Sequence, residues 1–328
     1  MRDVQISGIS QVSPGELPVK SLRFLGSAVV ITLALTTPAF SQAHKAPEPR
    51  PVAIPTRIED VIYSRRDGFS LTLDVFTPTG KPNGAGIIIC ISGDYKSGKE
   101  LVNFARKLVF PEFLKHGYVV FAVQHGSQPR CTVPEIVEDT HEAVRFIKAN
   151  AKKYDVSPDK LGIAGMSSGG HLSLMMGCAY KPGDPKASNP VERESSRVAA
   201  VACFFPVTDF LVFEAKPPEG FDDLFPFREF DPKAGKFIAI TAERRREIGR
   251  QYSPLHCATK ETVPTLIIHG DEDRLVPLDQ SKDLIAKLKE CDVVCELRVK
   301  QGMGHSPFAA REHLPEIREW FDKHLLKP

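Results

Sequence analysis

The sequence predicts an α/β architecture: a mostly parallel, eight-stranded sheet with helices on both faces. Three observations carry this. Continuous apolar runs recur along the chain, Gly86-Ile87-Ile88-Ile89-Cys90-Ile91 being the clearest, as strands covered on both faces require. Amphipathic helical patterns separate them. Strand and helix patterns then alternate, which is the order that parallel pairing demands.

Residues 58–64 and 70–77 flank the turn Arg65-Arg66-Asp67-Gly68 and read as an antiparallel hairpin that opens the sheet. After 86–91, similar runs occupy 118–123, 161–164, 199–205 and 265–269, and a last strand is expected over 294–299. A helix is expected over 136–153, where Ile136, Val137, Ala143, Val144, Ile147 and Ala151 recur at helical spacing. Residues 277–290 place Leu284, Ile285 and Leu288 opposite Lys and Asp, and residues 313–326 close the chain as an amphipathic helix with Trp320 and Phe321. Residues 208–255 exceed a usual connection. With Pro217-Pro218, several phenylalanines and Arg244-Arg245-Arg246, they read as a cap-like insertion after the sixth strand, with room for two short helices.

A formal net charge of +2 over 328 residues gives no electrostatic ground for a nucleic-acid partner. Near the N-terminus, Lys20 and Arg23 precede an apolar run at 24–35, and Ser41-Gln42-Ala43 follows. This is the positive, apolar, small-x-small order of a signal peptide over residues 1–43, cleaved near Ala43. The run is shorter than the roughly 20 residues of a membrane span, so no stable membrane insertion is expected after cleavage. An uncleaved anchor is the competing reading, and the residues before Lys20 are either a long n-region or upstream of the true start. Residues 44–55 read as a flexible leader and 56–328 as the folded domain of a secreted or periplasmic protein. Export permits disulfides. Cys90, Cys178 and Cys203 nevertheless sit in apolar runs, as buried thiols do, and no pair has CxxC spacing for structural zinc. Cys291 and Cys295, four apart, stay open as a pair, and oligomeric state leaves no trace in the sequence.

The strand at 161–164 runs into Gly165-Met166-Ser167-Ser168-Gly169-Gly170, and a helix is expected over 171–179. Small residues where side chains would collide permit a tight corner that exposes the central serine. Ser167 is therefore the expected nucleophile, with the off-centre Ser168 as rival and a plain strand–helix turn as the alternative. The backbone N–H of Ser168, at a helix N-terminus, would face a developing oxyanion. A serine hydroxyl needs a base, and the base needs an orienting carboxylate. His269-Gly270-Asp271-Glu272-Asp273-Arg274-Leu275-Val276-Pro277 follows one strand, and Gln301-Gly302-Met303-Gly304-His305-Ser306 follows the last. Both segments fall at the strand ends that also carry Ser167.

These motifs, in the order Ser…Asp…His, resemble those of the α/β-hydrolases. The resemblance implies the α/β-hydrolase fold, Asp273 as the acid with Asp271 as rival, and His305 as the base. His269, His313 and His324 read as structural. Related esterases and lipases carry His-Gly-Gly in the loop after the third strand, where this chain has Ser92-Gly93-Asp94. Gly93 and Asp94 are thus the candidates for the second oxyanion donor, against an ordinary glycine-containing turn. The blocks at 117–123, 133–139 and 143–147, with the lead-in at 155–161, resemble secreted carboxylesterases. The hormone-sensitive-lipase-like, feruloyl/acetyl-xylan-esterase-like and prolyl-oligopeptidase-like branches share these blocks, and the likeness spans 58–326. Where Tyr-Arg-Leu is usual, this chain has Gln124-His125-Gly126, so His125 either lines the pocket or holds its loop.

The resemblance implies a serine hydrolase acting on a small-molecule or carbohydrate-linked carboxylic ester through an acyl-enzyme, without metal or organic cofactor. A prolyl-oligopeptidase-type peptidase is one alternative, although that branch usually adds a propeller domain. A non-catalytic hydrolase-like binding protein is another, although such proteins usually lose a triad member. Phe210, Phe213, Phe221, Phe225, Phe227 and Phe230 either meet an aryl or acyl group or form the insertion's own core.

Overall fold

The computed structural model describes residues 56–66, 68–215 and 228–327. The expected signal peptide (1–43) and leader (44–55), Asp67, and Phe221, Phe225 and Phe227 of the insertion lie outside the described residues. Strand β1 (Arg57–Arg66) pairs antiparallel with β2 (Phe69–Phe76), as the opening hairpin requires. Then come β3 (Gly86–Ile91), helices α1 (Lys99–Leu108) and α2 (Phe110–Leu114), β4 (Val119–Gln124), α3 (Val133–Ala149), β5 (Leu161–Met166), α4 (Ser168–Cys178) and β6 (Ala200–Phe204). The eight-stranded sheet is completed by β9 (Thr265–Gly270), α8 (Leu278–Glu290) and β10 (Cys295–Lys300), and α9 (Pro307–Arg311) and α10 (Leu314–Phe321) follow. Strand order is β1-β2-β4-β3-β5-β6-β9-β10. Strand β2 is antiparallel to β4, and every pair from β4 onward is parallel.

The continuous apolar runs have a direct cause. Strands β3, β4, β6 and β9 are buried at every residue, because helices cover both sheet faces. Successive side chains then serve two cores. Ile88 and Cys90 face the core built with α3, α4 and α8, where Ile136, Leu172 and Leu284 are fully buried. Ile87, Ile89 and Ile91 face the other, built with α1, α2 and α10, where Val102, Phe113 and Ile317 meet them. Helix α3 begins earlier than its apolar spacing suggests. The Thr132 amide donates to Glu135 Oε2 at 2.6 Å, and Pro134 sits in the first turn, both of which start a helix.

The insertion after β6 holds more than two short helices. It contains α5 (Phe210–Ala215), a hairpin of β7 (Arg228–Asp231) and β8 (Lys236–Ala239), α6 (Ala242–Gln251) and α7 (Pro254–Cys257). Its base is fastened to the sheet end. The Phe210 amide donates to Ser253 Oγ at 2.9 Å, and the Leu255 amide donates to the Thr208 carbonyl at 3.0 Å. All seven cysteines are free thiols, so Cys291 and Cys295 are not paired.

Glycine 162 in β5 sets the approach of the C-terminal helix. A Cβ there would stand 2.5 Å from the ring of Phe321, which is fully buried in α10. Gly162→Ala is therefore expected to displace that ring and to lower unfolding free energy by about 1–3 kcal/mol in urea titrations. An unchanged midpoint would contradict this packing.

Candidate active site

Strand β5 meets α4 at Ser167, whose backbone stands at φ 52° and ψ −120°. A non-glycine residue pays about 1–3 kcal/mol for such angles and keeps them only where its surroundings leave no alternative. Here the surroundings are explicit. The Ser167 amide donates to the Phe204 carbonyl at 3.1 Å, and the Ser167 carbonyl accepts from the His171 amide at 2.9 Å. Strand and helix close so tightly that a Cβ on Gly165 would lie 2.3 Å from the Gly169 carbonyl. A Cβ on Gly169 would lie 2.7 Å from the Cys90 carbonyl oxygen. Both glycines of the motif are thus required by close approach, and the corner leaves the Ser167 side chain partly exposed in a cavity.

The loops after β9 and β10 bring Asp273 and His305 together. The imidazole Nδ1–H of His305 donates to Asp273 Oδ2 at 2.7 Å, which leaves Nε2 free to take a proton. Asp273 Oδ1 accepts the amides of Leu275 and Val276, each at 2.9 Å. The buried His269 reaches the same carboxylate, with Nε2 3.3 Å from Asp273 Oδ2 and 2.9 Å from the Val276 carbonyl. Its Nδ1 accepts from the Ser281 hydroxyl at 2.7 Å, which ties the acid loop to α8. Burial alone would raise the Asp273 pKa. The hydrogen bonds from His269 and His305 outweigh it and hold the carboxyl below the usual carboxylate range. Phe205 lies against the His305 ring, centroids 4.3 Å apart, and fixes the other face of the imidazole. Ser167 and His305 open into the same cavity, so the three residues read from the motifs converge at one end of the sheet.

The rivals are placed elsewhere. Asp271 is exposed, and its Oδ1 accepts the Gly302 amide at 2.8 Å. Ser168 is buried; its hydroxyl lies 2.9 Å from Ser92 Oγ and accepts the Tyr95 amide at 3.3 Å. That hydroxyl pins the loop after β3 to the elbow while the Ser168 amide stays at the first position of α4. Residues 93–96 form a tight turn with Asp94 at φ 49° and Tyr95 at φ 56°. In this turn the Gly93 amide donates to the Lys96 carbonyl at 2.9 Å, which leaves the Asp94 amide as the better-placed candidate donor of the loop. His125 does not line the cavity. It is buried, its Nδ1–H donates to the Gly126 carbonyl at 2.5 Å, and burial pushes its pKa down to about 4.

From the sequence His269 reads as a structural histidine, and Phe205 belongs to no motif. Only the position of His269 four residues before the acid hinted at its contact with Asp273. Among the described residues, no group of three His, Cys, Asp or Glu side chains is placed to hold a metal ion.

An eight-stranded, mostly parallel sheet with a strained serine corner and an Asp–His pair at the same edge defines an α/β-hydrolase. Residues 73–288 match the family model described as BD-FAE, and the chain belongs to that family. It is similar to a probable carboxylic ester hydrolase, LipM, of Mycobacterium tuberculosis, at 29% identity over 53% of this chain and 38% of that protein. Esterase LipC of the same organism is 25% identical over 88% of this chain and 70% of its own length. A truncated carbohydrate esterase from gut microbiota superposes with a TM-score of 0.66 at 25% identity, over 85% of this chain and 99% of that one. The Est2 esterase of Thermogutta terrifontis shares the fold with a TM-score of 0.61 at 22% identity, over 83% and 92% of the two chains. The chain spans less than half the length of LipM and of esterase LipQ, of which it covers 38% and 46%.

The environment of Asp273 sets a pH dependence. Its folded pKa lies below the unfolded value of about 3.9, so ionisation stabilises the fold above that pH. The contribution is lost as pH falls toward the folded value. The stability difference between wild type and Asp273→Asn, from urea titrations, is therefore expected to be larger at pH 7 than at pH 3. Equal differences at the two values would contradict an ionised carboxylate held by two amides and two imidazoles.

Proposed function

We propose that this chain is a carboxylic ester hydrolase that works through an acyl-enzyme on Ser167. The observation that carries the reading is the 2.7 Å hydrogen bond from His305 to Asp273, with His305 sharing a cavity with the strained Ser167. In the proposed first step, His305 Nε2 takes the Ser167 hydroxyl proton as Oγ bonds to the acyl carbon. The same proton then goes to the departing alkoxide as the C–O bond breaks. In the second step water gives a proton to His305, its oxygen bonds to the acyl carbon, and Ser167 Oγ leaves with that proton. Asp273 holds the imidazole tautomer and offsets its positive charge throughout. The amides of Ser168 and Asp94 are assigned to the oxyanion; one such donor is worth about 2.7–4 kcal/mol in the transition state.

The esterase relatives support this reaction class. For the alcohol group, the carbohydrate-linked ester expected from the sequence draws support from the similarity to a carbohydrate esterase. Export to a secreted or periplasmic location is the proposed fate, supported by the pattern at residues 20–43.

Ser167→Ala is expected to lower kcat/KM for p-nitrophenyl butyrate by about 10⁴-fold or more. A variant within tenfold of wild type would remove Ser167 from the mechanism. An aminoacyl-prolyl amide assayed alongside is expected to survive; its turnover in preference to the ester would favour a peptidase.

A further inference from the structure

The cavity at Ser167 has a volume of about 330 Å³ and does not stop at the sheet edge. Its mouth holds the polar side chains Ser92, Asp94, Ser167 and His305. From there it enters the gap between β3, β5 and β6 on one side and α1, α2 and α10 on the other. The inner wall includes Ile89, Val109, Phe113, Ala164 and Ile317. These side chains are 0–8% exposed and belong to the second hydrophobic core, so the wall at this end of the cavity is apolar.

Two physical facts restrict what fits. Protein cores are close-packed, and a void among apolar side chains forfeits dispersion contacts that an apolar guest restores. Beyond the mouth, the lining side chains carry no N–H or O–H donor and no oxygen acceptor. A phenolic hydroxyl or a sugar there would be left without a side-chain partner, at a penalty of about 1–3 kcal/mol per group. An acetyl group would leave most of the space empty. Leu101 and Phe104 line the cavity yet are also exposed at the surface. Phe104 meets the ring of Phe308 edge-on at 5.6 Å, and Phe308 is 65% exposed. An apolar rim therefore runs into the cavity beside the polar mouth.

We infer that this cavity is an acyl-binding channel for an aliphatic chain, with the ester carbonyl at Ser167 and the alcohol left outside. The inference rests on the esterase reading and names its acyl group. A methylene takes about 30 Å³, as a water molecule does in the liquid, and the cavity exceeds that by about tenfold with part of it at the open mouth, so acyl chains longer than acetyl, of about six to ten carbons, gain contact.

The test is a series of p-nitrophenyl esters from acetate to dodecanoate, with methyl ferulate alongside, on the full chain. kcat/KM is expected to climb by about fourfold per added methylene up to about eight carbons and then to level or fall, with ferulate poor. Highest kcat/KM on acetate, or on ferulate, would overturn the channel assignment. Ala105 in α1 lines the cavity, and Ala105→Trp is expected to move the optimum to shorter chains. An optimum that stays at eight carbons in a variant that still hydrolyses esters would also overturn it. The wild-type series decides the question if that variant does not fold. The two readings fail differently. Ser167-dependent hydrolysis without gain from longer chains defeats the channel alone, whereas no hydrolysis of any ester defeats the esterase reading.

Discussion

Ser167 is held at φ 52° by hydrogen bonds on both sides of the residue and by two glycines that let helix and strand touch. Everything at this end of the sheet is arranged around that corner. Relaxing it would turn the serine hydroxyl back toward helical or extended geometry and detach α4 from Phe204. The strain is maintained because the corner is set in a buried parallel sheet whose neighbours are fixed by β3 and β6. A sheet closed on both faces thus supplies the rigidity that an exposed loop would lack.

The other contacts complete the corner. Ser168, next in the chain, uses its hydroxyl to hold Ser92 and the Tyr95 amide, so the loop after β3 and the elbow move as one piece. Ser97 extends the brace: its amide donates to Ser127 Oγ at 2.9 Å, and its hydroxyl donates to the Ile91 carbonyl at 2.5 Å. On the opposite side, Asp273 is gripped by two amides and two imidazoles, and His305 is fixed between that carboxylate and Phe205. Preorganised groups of this kind do not reorient during a reaction, which is what makes them effective.

Much of this was readable from the residues. Strands β3, β4 and β6 announce themselves as apolar runs because burial on both faces removes the alternation that would have blurred them. The serine corner was readable because glycine is needed at 165 and 169 for steric reasons. Other features depend on tertiary contacts. Helix α2 shows no clear period because it has five residues with Pro111 in its first turn, and α1 is hard to see because it buries only Val102 and Ala105. The hairpin in the insertion has strands of only four residues. The contact of His269 with Asp273 and the turn that occupies the Gly93 amide are matters of angstroms, not of spacing. The channel is lined by segments spread from residue 89 to residue 317, and no local pattern joins them.

The central claim is that one strained serine, one imidazole and two backbone amides face a single acyl carbon. A crystal structure of the protein inactivated by a short alkyl fluorophosphonate tests it most directly. The account predicts phosphorus bonded to Ser167 Oγ, with the phosphoryl oxygen about 2.7–3.1 Å from the amides of Ser168 and Asp94. An adduct on another side chain, or a phosphoryl oxygen turned away from both amides, would contradict it.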